Sequence, residues 1–83
     1  MAGYHLRNIP KGVFGELSKI KEEIEEIEDS IDQNSKVMEV MELSDLYGAI
    51  QGYLEKYHPD VTMEDLRIMS DITQRAFRSG ARG

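Results

Sequence analysis

From Val13 to Ile31 the apolar residues Val13, Leu17, Ile20, Ile24, Ile27 and Ile31 recur at alternating steps of four and three. That is the period of an amphipathic helix, and it predicts a first helix over 13–31. Residues 32–35, Asp-Gln-Asn-Ser, offer no hydrophobic position and are of the kind that favours turns and helix caps. A second helix is predicted over 36–57, with Val40, Leu43, Leu46, Tyr47, Ile50, Tyr53, Leu54 and Tyr57 marking a broad apolar side. His58 and Pro59 end it, because proline cannot continue the hydrogen-bond ladder and restrains the residue before it. Thr62 stands three residues before Asp65, as in a capping box, and Leu66, Met69, Ile72, Ala76 and Phe77 carry a third helical stripe over 62–78. Residues 1–12 have no period and read as an arm or loop ending near Pro10, with His5 a flexible-arm residue and His58 a loop residue. The tail after Ser79 has glycine at a helix terminus and is expected to fray. No alternating run supports a strand.

The pattern therefore predicts an all-α fold, one domain over 1–83, built as a short bundle of about three helices. A chain of this length buries little surface, and without cysteines it has no disulfides to compensate. Extra stability is expected from a metal or from self-association, as a homodimer or homotetramer. The absence of cysteine also excludes thiolate zinc sites and cysteine nucleophiles, and fits a reducing compartment. No signal-like segment or membrane-length apolar run is present, so a soluble, cytoplasmic protein with no membrane partner is expected. A formal charge of −6 disfavours binding of duplex nucleic acid. It does not disfavour small phosphorylated molecules, provided that divalent cations bridge carboxylates and phosphates.

Two acidic patches qualify for that role: Glu22, Glu23, Glu25 and Glu26 in the first helix, and Glu42 with Asp45 in the second. Carboxylates at i and i+3 stand one above the other on a helix, so Glu23 with Glu26, and Glu42 with Asp45, can each point oxygen ligands one way. A short connection favours antiparallel packing, which lets the two pairs converge. On a helical wheel Glu16, Lys19, Glu23, Glu26 and Ser30 form a row flanking the apolar stripe, whereas Glu22 and Glu25 point away and Glu28 flanks the opposite side. Glu23, Glu26, Glu42 and Asp45 are thus the candidate metal ligands, with Mg2+ the expected ion and Mn2+ an alternative. A run of charge on one helix is ordinarily a solvated face. Glu42 and Asp45 argue otherwise, because they sit among apolar and small residues where unpaired carboxylates are costly to bury.

At these residues the chain resembles the MazG-type branch of the all-alpha nucleotide pyrophosphohydrolases, whose signature is E-x-x-E on one helix and E-x-x-D on the next. Glu23 and Glu26 match the first half, Glu42 and Asp45 the second, and residues 27–41 form a spacer of the family's usual length. The family commonly has a small residue where Glu25 stands. The resemblance spans roughly residues 13–57 and implies hydrolysis of a nucleoside triphosphate to monophosphate and pyrophosphate. In that reading Glu23 or Glu26 orients or deprotonates the attacking water, and family members assemble as dimers or tetramers.

Lys19, one turn before Glu23, and Arg75, Arg78 and Arg82 near the end of the third helix are candidates for substrate phosphate. Cations near a helix C-terminus are also ordinary partners of the helix dipole. Tyr47, Tyr53 and Tyr57 have core or interface spacing as well as the capacity to stack on a base. Two other readings stay open: an enzyme of the phosphoribosyl-ATP pyrophosphohydrolase kind, and a non-catalytic helical interaction module whose acids are solvated faces.

Overall fold

The computed structural model describes residues 5–79. Three helices follow in order, α1 (Leu17–Asp32), α2 (Lys36–Tyr57) and α3 (Met63–Arg78), with no strand among the described residues. The fold is all-α, as the periodicity implies.

Helix α1 starts four residues later than its apolar period. Gly15 adopts φ +89, a left-handed conformation that a right-handed helix cannot pass through. Val13 instead opens a turn, in which its carbonyl accepts from the Glu16 amide at 2.9 Å and its own amide donates to Ser18 Oγ at 3.0 Å. At the other end the chain reverses within residues 33–35. Asn34 takes φ 58, its amide bonds to the Ile31 carbonyl at 2.9 Å, and the Ser35 amide reaches the Ser30 carbonyl at 3.1 Å. This is a Schellman closure with asparagine in the left-handed position that it tolerates better than most residues. Ser35 then caps α2, its hydroxyl accepting from the Met38 amide at 3.2 Å. So tight a reversal lays α2 antiparallel along α1. The far ends are tied by Glu16, which accepts from both Lys56 Nζ and the Tyr57 hydroxyl.

Thr62 caps α3 in the expected box: its hydroxyl accepts from the Asp65 amide at 3.1 Å, and Asp65 accepts from the Thr62 amide at 2.9 Å. No residue of α3 is buried, and Met69, Ile72 and Phe77 of its stripe lie open. Packing within the chain is chiefly α1 against α2.

The core departs from the apolar pattern. Among the described residues only Ala49 and Leu54 are buried hydrophobics, whereas the buried positions of α1 are Glu22, Glu23, Asp29 and Ser30. Leu17, Ile24 and Ile31 of the α1 stripe are about half exposed. The helix therefore turns its polar flank, not its apolar stripe, toward the rest of the chain. No described helix is long and apolar enough to cross a membrane.

Candidate metal centre

The antiparallel α1–α2 pair brings the four expected carboxylates together. Oxygen atoms of Glu23, Glu42 and Asp45 lie within 4.8 Å of one another, as do those of Glu22, Glu23 and Glu26. A third set joins His5 with Glu26 and Glu42 at the same spacing. The sets overlap through Glu23, Glu26 and Glu42, making one continuous polyacidic patch. Glu23 is 3% exposed and Glu42 1%, and in each the Oε1 atom is buried with no hydrogen-bond partner. Buried carboxylate oxygens left unmatched are costly, and a cation held between them would offset that cost.

The electrostatics agree. Burial, a hydrogen bond shared with Glu23 and the nearby charges of Glu23, Glu42 and Glu22 push the Glu26 carboxyl up to about 7. Burial and the neighbouring Asp45 and Glu23 also raise Glu42, against a small opposing effect of His5. Such repulsion marks a site short of positive charge. The donors are hard oxygens at several overlapping positions, a set suited to Mg2+ or Mn2+.

Glu22 lies differently from its expected place. It is 3% exposed and faces inward, its Oε1 accepting from the Gly12 amide at 2.8 Å and from Lys19 Nζ at 3.1 Å. Burial works against ionisation, but these donors prevail and hold Glu22 below the ordinary carboxylate range. Lys19 also reaches Glu23 Oε2 at 3.1 Å, and although burial opposes its charge, the two carboxylates raise it. Glu22 escaped the wheel argument because the row was centred beside the apolar stripe, whereas the buried sector is centred on the polar flank that includes Glu22 and Asp29.

The arm was expected to be flexible at His5; instead it is docked there. The His5 side chain is 7% exposed, with Nδ1 3.0 Å from Asp29 Oδ2 and Nε2 3.4 Å from Glu26 Oε1. Asp29 is fully buried and also accepts from the Leu6 amide at 2.9 Å, the Arg7 amide at 3.1 Å and Gln33 Nε2 at 2.7 Å. Burial disfavours the Asp29 charge, but these donors overcome it and hold the carboxyl at about 2. Arg7 adds contacts to Glu28 and Asp32. Sequence reasoning missed Asp29, although it stands one turn beyond Glu26.

Lys11, Lys19, Glu22, Glu23, Glu26 and Asp45 line a cleft of about 420 Å3, floored on α2 by Gly48 and Ala49. Lys11 is thus a further cation at the mouth. Arg75 and Arg78 lie instead on the last turn of α3, where Arg78 donates to Gln74 at 3.2 Å, and neither lines this cleft. Arg82 lies outside the described residues. Tyr53 and Tyr57 pack ring to ring, with centroids 4.9 Å apart. No family model, curated protein or solved structure matches the chain.

Proposed function

We propose that this protein is a divalent-cation-dependent nucleotide pyrophosphohydrolase, cleaving a nucleoside triphosphate to a monophosphate and pyrophosphate. The observation that carries the reading is the convergence of Glu23, Glu26, Glu42 and Asp45 with two buried carboxylate oxygens unmatched. These four residues would hold Mg2+ or Mn2+, and a bound ion supplies charge neutralisation for phosphate oxygens and acidifies water. Glu26 suits the general base, since its raised pKa places proton exchange near neutral pH. Glu23, which shares a hydrogen bond with it, is the other candidate. Lys19 pairs with Glu22 and Glu23, and with Lys11 gives the cleft a positive rim for phosphate. Arg75 and Arg78 would reach phosphate only from another subunit, which fits a homodimer or homotetramer with α3 at the interface.

The test is pyrophosphate release from a panel of nucleoside triphosphates and phosphoribosyl-ATP, with Mg2+ or Mn2+, for the native chain, Glu42→Ala and Asp45→Ala. Metal-dependent release lost in both variants is the expected result. No release from any nucleotide would sink the enzymatic reading and favour a helical interaction module, for which the uncovered apolar residues of α3 speak.

A further inference from the structure

The arm that crosses α1 does more than cover it. Asp29 is fully buried and saturated with donors, and its Oδ2 stands 3.0 Å from His5 Nδ1. With Nδ1 as donor to the Asp29 carboxylate, Nε2 is the ring atom that faces the acidic patch, where a bound cation would take the place of a proton. Nε2 in turn faces Glu26, 3.4 Å from its Oε1, and a ring nitrogen of His5 groups with carboxylate oxygens of Glu26 and Glu42 within 4.8 Å. A buried carboxylate fixing one imidazole nitrogen while the other faces acidic ligands is the usual support of a metal-bound histidine. Glu42, 1% exposed with Oε1 unmatched, supplies the separate sign that a cation belongs there.

From this geometry we infer that His5 is a nitrogen ligand to a divalent ion held with Glu26 and Glu42, making the centre a mixed nitrogen and oxygen site that selects Mn2+ over Mg2+. The inference rests on the carboxylate centre proposed above and adds the arm to it. Imidazole adds little for magnesium, a hard ion that keeps its waters, whereas first-row transition ions gain from a nitrogen donor. The backbone of Leu6 and Arg7, bonded to Asp29, holds the ligand in place.

The decisive probe is Mn2+ alone, bound to the full chain and read by electron spin-echo modulation for nitrogen at the ion. The chain has two histidines, and His58 lies at the far end of α2, about 24 Å along the helix from Glu42. Native protein and His58→Gln should show nitrogen modulation, and His5→Gln should lose it while weakening Mn2+ on the order of ten-fold and Mg2+ far less. Mn2+ bound in a Glu42-dependent manner without nitrogen modulation overturns the inference and leaves the carboxylate centre standing. Modulation that persists in His5→Gln overturns it equally. No bound Mn2+ at all removes both the inference and the centre beneath it. Because the native protein carries the readout, a poorly folded variant does not blunt the test.

Discussion

Glu42 concentrates the problem that the site poses. Its side chain is buried beside Asp45 and Glu23, yet its Oε1 has no partner, so without a cation it opposes folding. Replacement by glutamine removes the charge at nearly constant shape. The cation-free protein should gain about 1 kcal/mol or more, raising its unfolding midpoint by roughly 5 °C. Saturating Mn2+ should stabilise the native chain but not Glu42→Gln, so the order reverses; an unchanged midpoint without cation would show that the cluster carries no strain. Glu26 gives the pH dependence of the same effect. Its neighbours are Glu22 and Glu23 on its own helix, Glu42 on α2 and His5 on the arm. Its folded pKa of about 7 exceeds the ordinary 4.5, so its contribution to stability is complete below 4.5 and is lost as pH rises through 7. Asp29, at about 2 against 3.8, works in the opposite sense and loses its contribution only as pH falls through that lower range. Thermal melts with a chelator should therefore decline between pH 4.5 and 7, and a bound divalent ion should flatten that decline by replacing the proton. Two pairs at i,i+3 were enough to make the four acids legible in the sequence. Glu22, Asp29 and His5 were not, because their roles depend on how the arm lies across α1, a tertiary fact without a local period.

At the scale of elements, boundaries were read well where local chemistry sets them. Ser35 and Thr62 cap α2 and α3, and His58 with Pro59 closes α2 close to where the sequence places these events. The start of α1 was misplaced because the apolar period runs on through Val13, whereas the φ of Gly15 forbids the helix there. The arm reaches α1 through a second glycine. A Cβ on Gly12 would stand 2.3 Å from the Ser18 carbonyl oxygen and 2.5 Å from the Lys19 amide nitrogen, both backbone atoms that have nowhere to go. Gly12→Ala should therefore lift the arm, break the bond from the Gly12 amide to Glu22 and cost about 1–3 kcal/mol. Amide exchange at Leu6, Arg7 and Gly12 should quicken while helical circular dichroism persists. Gly48→Ala is the matched control, since its Cβ meets nothing within 4 Å and the helix should gain about 0.5–1 kcal/mol. Equal losses in both variants would mean that the arm is not held by its approach at Gly12.

The whole chain is spread more widely than its length requires. Its radius of gyration is 15.0 Å, against about 12 Å for a compact chain of this size. That excess matches the burial pattern, in which α1 spends its inward face on carboxylates and leaves Leu17, Ile24 and Ile31 open, while α3 leaves Met69, Ile72 and Phe77 open. An amphipathic stripe left uncovered forfeits about 25 cal/mol for each Å2 of apolar surface it could bury. A second copy covering them would return that energy and free the polar flank of α1 for the site. Sedimentation at micromolar concentration should accordingly give a dimer or tetramer whose melting temperature rises with protein concentration. Ile24→Glu combined with Ile72→Glu should shift the mass to monomer and lower the melting point, without touching any acid of the cluster. A native chain that sediments as a stable monomer would require α3 to fold back over α1 in solution, and would remove the route by which Arg75 and Arg78 reach a neighbouring cleft.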